Sequence, residues 1–222
     1  MIAGADFVHR YTRRRSADPH RRGAVLLLAC VIGLLAACGG STPRLERLAP
    51  EAVVLAFGDS LTFGTGAAAG QNYPAILESL IGRKVYGAGV PGEVSAAGLA
   101  RLPSALEYYQ PKLLVLCHGG NDFLRKLGDK QAAENIRAMV RAARNKGIAV
   151  MLIAVPKPGL FPSPPDFYSD IAEEYGLPIE AAALKKVLTD NDLKSDLFHP
   201  NGKGYARLAA AVAEVLKKSG AI

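Results

Sequence analysis

From residue 52 onward the chain alternates short, largely apolar runs with longer stretches in which apolar residues return every three or four positions. The runs fall at 52–57 (AVVLAF), 84–86 (KVY), 113–117 (LLVLC) and 149–155 (AVMLIAV), with a shorter one at 178–180. Continuous apolar runs of this length suit strands buried on both faces. The stretch 131–146 places Ala132, Ile136, Met139, Val140 and Ala143 on one stripe, and 204–218 does the same with Tyr205, Leu208, Ala209, Val212, Val215 and Leu216. Both are helical periods with charge on the opposite side. Strand alternating with helix predicts an α/β fold, a three-layer α/β/α arrangement around a central, mainly parallel sheet of about five strands. In such sheets ligands gather at the carboxyl ends of the strands.

Ahead of this pattern, residues 1–37 read differently. A basic stretch leads into the apolar run 24–37, AVLLLACVIGLLAA. Its length falls short of the ~20 residues that span a bilayer but suits an export signal. The run ends in LAAC and is followed by GGSTPR, which resembles a bacterial lipobox with Cys38 as the lipidated first residue. The competing reading is an ordinary signal peptide cut nearby, or an uncleaved anchor. The expected organisation is therefore a lipoprotein signal peptide over 1–37, a polar tether over 38–51 and one domain over 52–222. The expected location is the bacterial cell envelope, anchored by lipid to a membrane and facing the periplasm.

This division changes the meaning of the charge. The net charge is +7. Six arginines against Asp6 and Asp18 give +4 within residues 1–37, which leaves +3 for the remainder. The basic pI thus describes mostly the signal, and no nucleic-acid partner is expected. Of the three cysteines, Cys30 leaves with the signal, Cys38 would carry lipid, and Cys117 stands alone in an apolar run. That pattern offers neither a disulfide framework nor metal-ligand spacing, so no metal site is expected.

Candidate chemistry sits beside the strand ends. FGDSLTFG after the first run puts Ser60 at a strand-to-helix turn, where a lone serine is ordinarily a helix cap. DLFHPNGKG, just before the last helix, separates Asp196 from His199 by three residues. On a turn that spacing lets the carboxylate meet one imidazole nitrogen while the other faces away, which fixes the tautomer and stabilises an imidazolium. GVPGEV supplies Gly92 and HGGND supplies Asn121, a backbone N–H and a side-chain amide suited to an oxyanion. Asp59 and Asp122 precede helices and read as caps or braces. His118 has no acidic neighbour at a useful spacing and reads as a supporting or cleft-wall residue. The proline-rich segment 156–166 reads equally as a surface connection or a cleft wall.

The blocks GDSL (58–61), GVPGEVS (89–95), GGND (119–122) and DLFHP (196–200), in this order, resemble the GDSL or SGNH hydrolases. The resemblance spans about 53–216, and the segment 98–122 looks like the bacterial periplasmic thioesterase, lysophospholipase and arylesterase subgroup. It implies a serine ester hydrolase acting on small acyl esters through an acyl-enzyme, without a cofactor. Carried over by position, Ser60 is the nucleophile, His199 the base and Asp196 its orienter. The oxyanion hole is the Ser60 and Gly92 N–H groups with the Asn121 side chain. One departure is Gly87, where this subgroup commonly has asparagine.

Other functions compete. A carbohydrate O-acetylesterase of the envelope would use the same residues, and a non-catalytic envelope lipoprotein could keep the fold. The literal G-x-G-x-x-G at Gly87, Gly89 and Gly92 suggests a dinucleotide site, but Pro91 is an awkward start for the helix that should meet the phosphates. An α/β-hydrolase elbow would need glycine where Thr62 stands.

Overall fold

The computed structural model describes residues 42–222. The expected signal peptide and the expected lipidation of Cys38 lie outside the described residues. Five strands form one sheet: β1 (Val54–Gly58), β2 (Val85–Gly89), β3 (Leu113–Cys117), β4 (Ala149–Ile153) and β5 (Ile179–Glu180). Their order is β2-β1-β3-β4-β5, and every pairing is parallel. Every residue of β1 and β3 is buried, as unbroken apolar runs require for strands covered on both faces. β2, at the sheet edge, buries only Val85 fully.

The helices follow their stripes. We number them α1 (Ser60–Phe63), α2 (Tyr73–Ile81), α3 (Ser95–Tyr109), α4 (Gly120–Leu124), α5 (Asp129–Arg144), α6 (Phe167–Tyr175), α7 (Ala183–Thr189) and α8 (Gly202–Ser219). α2 packs against α8, and α3 against α5, each pair burying its apolar stripe against the sheet. Ala132, Ile136, Met139, Val140 and Ala143 of α5 are all buried, as are Tyr205, Leu208, Ala209, Val212 and Leu216 of α8, whereas Val215 is half-buried. At ~25 cal/mol per Å² of apolar surface, burial of such stripes is the main stabilising contribution.

Several sequence boundaries shift, three of them with consequences. β2 runs on to Gly89 and so contains Gly87 and Gly89. β4 stops at Ile153, although the Ala154 N–H still donates to Glu180 O at 2.9 Å. The segment expected as a free tether is docked from Leu45 onward. Leu45 N donates to Ser219 O at 2.9 Å, Leu48 N donates to Ala221 O at 2.8 Å, and the Leu48 side chain is buried in the core. Two leucines in this otherwise polar stretch are enough to hold it at the end of α8. That places it at the amino ends of the strands, near Val53, Lys112 and Ala149.

Strand order reverses direction about β1 and β3, so the crevice above their carboxyl ends is where this topology opens a binding site. Ser60 follows β1, Gly92 follows β2 and the Gly119–Asn121 turn follows β3. His199 precedes α8, whose N-cap Asn201 accepts from Gly204 N at 3.1 Å.

Candidate active site

Ser60 is the first residue of α1, and the capping role belongs to Asp59, whose carboxylate accepts from Leu61 N at 3.0 Å. Relieved of the cap, the Ser60 Oγ meets His199 Nε2 at 3.0 Å across a sequence separation of 139 residues. On the other side of the imidazole, Nδ1 lies 2.8 Å from Asp196 Oδ2 and 3.0 Å from Oδ1. Asp196 also accepts the backbone N–H of Phe198 at 2.7 Å and of His199 at 2.9 Å, so its carboxylate is fixed by its own turn. Partial burial works against its charge, but these N–H groups and the imidazole outweigh it and hold the carboxyl below its usual value. A proton on Nδ1 facing this carboxylate leaves Nε2 free to accept from the serine hydroxyl.

Gly92 turns the chain after β2 with φ 77°, in the left-handed region that glycine enters freely. Its carbonyl accepts from Arg125 Nη2 at 2.8 Å. Neither its N–H nor that of Ser60 donates to a protein acceptor among the described residues. Asn121 commits one amide hydrogen to Glu93 O at 3.0 Å, while its other contact, Asp59 Oδ2, is long at 3.3 Å. A developing oxyanion could replace that weaker partner. Burial pushes the Asp59 carboxyl up, partly offset by the neighbouring histidines and the Leu61 N–H.

These groups open onto one cleft of about 810 Å³, lined by Ser60, Gly92, Asn121 and His199 together with Leu61, Leu124, Val155, Leu160, Leu188 and Leu197. The segment after β4 forms one wall, with Pro156 through Pro162 all facing the cleft. A bridge between Lys157 and Ser163 closes this segment on itself and leaves Leu160 88% and Phe161 87% exposed at its tip.

Two sequence readings sharpen: of the supporting and cleft-wall roles open to His118 the supporting one remains, and the dinucleotide site, already disfavoured, is excluded. His118 is wholly buried, is absent from the cleft wall and has an acidic partner: its Nε2 lies 3.2 Å from Glu93 Oε2, contributed 25 residues earlier in the chain. The dinucleotide reading fails on geometry. Gly87 and Gly89 lie within a strand, and the first N–H of α3, on Ser95, already donates to the buried Asp122 carboxylate at 2.8 Å. Asp122 further accepts from Ser95 Oγ at 2.6 Å, bracing α4 against α3. Sequence reading overlooked Glu93 and Arg101, although the only local signal was a glutamate inside the glycine-rich turn.

A parallel sheet flanked by helices, with a serine, a histidine and a carboxylate in hydrogen-bonding line over its carboxyl ends, is the arrangement of an α/β/α hydrolase fold. The chain belongs to the GDSL-like Lipase/Acylhydrolase family, whose model matches residues 56–207. It is 32% identical to Esterase TesA of Pseudomonas aeruginosa over 140 residues, a match covering 61% of this chain and 65% of that esterase. It is 27% identical to Thioesterase 1/protease 1/lysophospholipase L1 of Escherichia coli over 179 residues, covering 77% of this chain and 86% of the relative. A crystal structure of TesA superposes with a TM-score of 0.69 at 28% identity, covering 75% of this chain and 99% of that one. Among the described residues no helix is long and apolar enough to cross a membrane.

Proposed function

We propose that this chain is a serine ester hydrolase that cleaves acyl esters or thioesters through an acyl-enzyme. The observation that carries the reading is the unbroken relay from Ser60 Oγ to His199 Nε2 at 3.0 Å and from Nδ1 to Asp196 at 2.8 Å. In the first half-reaction Ser60 Oγ attacks the acyl carbonyl while His199 takes its proton, and Asp196 stabilises the imidazolium that results. The Ser60 and Gly92 N–H groups and the Asn121 amide receive the oxyanion. The tetrahedral intermediate then collapses, His199 protonates the departing alkoxide or thiolate, and the acyl group stays on Ser60. Water, deprotonated by His199, repeats the sequence and releases the acid.

The cleft favours an acyl group with an apolar chain over the acetyl group of a sugar. Leu61, Leu124, Val155, Leu160, Leu188 and Leu197 form a surface that an acetate would leave unused. The thioesterase and lysophospholipase in the relative's name fit that surface too. A fluorophosphonate probe should label the wild type and not Ser60→Ala, and Ser60→Ala should lose turnover of an aryl ester. Retained turnover in that variant would end the reading.

We further read the protein as lipid-anchored through Cys38 in the cell envelope, supported by the LAAC sequence. Leu45, seven residues beyond Cys38, is docked at the amino ends of the strands. Seven residues reach at most about 25 Å. A lipid on Cys38 would therefore tether the domain to the membrane through a short segment. Incorporation of labelled palmitate that survives in Cys38→Ser would refute the anchor.

A further inference from the structure

The oxyanion donors Gly92 and Asn121 come from separate turns, and one residue between them touches both. The Gly92–Glu93 peptide joins Glu93 directly to the first donor, and the Glu93 carbonyl accepts the Asn121 amide at 3.0 Å. Its side chain leaves the cleft and runs inward to a clamp formed by the half-buried Arg101 and the buried His118. The carboxylate accepts from Arg101 Nε at 2.9 Å and Nη2 at 2.7 Å, a forked contact, and faces His118 Nε2 at 3.2 Å. His118 Nδ1 accepts the Gly119 N–H at 3.1 Å, which places the imidazole proton on Nε2, donated to Glu93. Gly119 is the N-cap of α4, the helix that carries Asn121.

Arg101 extends the clamp to the sheet. Its Nη2 donates to Ala88 O at 3.1 Å and reaches Gly58 O at 3.4 Å, and its guanidinium lies 4.1 Å from the Phe57 ring centre. Glu93 is thus joined to the carboxyl ends of β1 and β2 through Arg101 and to the end of β3 through His118. Gly98 makes room for this arrangement, since a Cβ there would lie 2.3 Å from His118 Nε2. None of the three side chains lines the cleft, so none is in position to touch substrate.

We propose that Glu93, clamped by Arg101 and His118, is a positioning residue that sets the Gly92 and Asn121 donors relative to Ser60. The proposal rests on the ester-hydrolase reading above. The physical reason is rigidity. A forked arginine–carboxylate contact fixes direction as well as distance. Donors displaced by about 1 Å can lose on the order of 10²-fold in rate.

The test is steady-state kinetics on an aryl ester together with inhibition by a trifluoromethyl ketone that mimics the tetrahedral adduct. Glu93→Gln keeps the shape and removes the charge. It should lower kcat by about 10- to 100-fold with KM within about twofold, and weaken the ketone by the same factor. Its loss should multiply incompletely with that of Asn121→Ala, because Asn121 is one of the two donors that Glu93 sets. Arg101→Lys and Gly98→Ala should move kcat in the same direction and serve if Glu93→Gln does not fold. Unchanged kcat in folded variants, a change confined to KM, or full multiplication with Asn121→Ala would overturn the proposal while leaving the hydrolase reading intact. Wild-type turnover by Ser60→Ala would remove both.

Discussion

The two halves of the site are built in opposite ways. The proposed acid–base half, Asp196 and His199, comes from one exposed turn whose hydrogen bonds span four positions or fewer, apart from the contact with Ser60. The proposed oxyanion half is assembled from the ends of three strands and held by a partly buried ion pair, with contacts separated by 8 to 62 residues. A local turn can be remade as a unit, whereas the assembled half depends on the whole sheet. The first half should therefore be sensitive in chemistry and tolerant in stability, and the second sensitive in both.

The largest effect tests the tolerant half. His199→Ala should reduce kcat on an aryl ester by a factor on the order of 10⁶, and Asp196→Asn by about 10⁴, as in other serine hydrolases whose triads act as a unit. Both residues are partly exposed, with side chains 21% and 50% accessible, so thermal melting should show Tm values within about 2 °C of wild type. A fall of 10 °C would show that this turn supports the fold and break the contrast.

Asn121→Ala comes next, with kcat falling about 10²- to 10³-fold for loss of one oxyanion donor. Unlike His199→Ala, it also removes the bond to Glu93 O and the contact with buried Asp59, so a lower Tm should accompany the kinetic loss. Circular dichroism melting on the same preparations decides this.

Acid distinguishes the halves by degree. Burial raises the Glu93 pKa, but the hydrogen bonds from Arg101 and His118 outweigh it and bring it down to about 2, from an ordinary 4.5. A folded value below the unfolded one means that its stabilisation is complete above about pH 4.5 and fades as pH falls from there toward 2. The Tm deficit of Glu93→Gln, on the order of 5–10 °C for a broken, partly buried pair, should stay constant from pH 8 to 5 and shrink below 4.5. Asp196 is lowered in the same sense, yet its exposure leaves little to lose, and Asp196→Asn should track wild type over the whole range. Equal deficits for the two would remove the distinction between the clamped half and the local one.

The same division explains what could be read in the sequence. The strands were legible because β1 and β3 are apolar at every position, and the Asp196–His199 pair because a turn expresses its geometry in adjacent letters. Glu93, Arg101 and His118 were not, because their partnership exists only after β1, β2 and β3 are in register. His118 in particular has no acidic neighbour in sequence and acquires one solely through the fold. The docking of Leu45 and Leu48 was hidden for a related reason, since two leucines in a polar stretch carry no period of their own.

The smallest expected effect concerns the two glycines of β2, which look equivalent as letters. Gly89 faces α1 so closely that a Cβ would lie 2.1 Å from Phe63 N and 2.6 Å from Thr62 C, both backbone atoms that cannot give way without moving the helix that carries Ser60. At Gly87 the nearest atoms to a Cβ are Pro74 Cβ and Cγ at 3.4 Å, ordinary contact, and the backbone is extended within the strand. Gly87→Ala should therefore leave kcat within about twofold and raise stability by up to about 0.5–1 kcal/mol through a stiffer unfolded chain. Gly89→Ala should displace Ser60 and reduce both kcat and Tm. Because the oxyanion turn is held by Glu93 and not by a side chain at position 87, Gly87→Asn should likewise turn over at near the wild-type rate. A large loss there, with Tm unchanged, would show that the turn depends on the narrow space beside β2 as well as on the clamp beneath it.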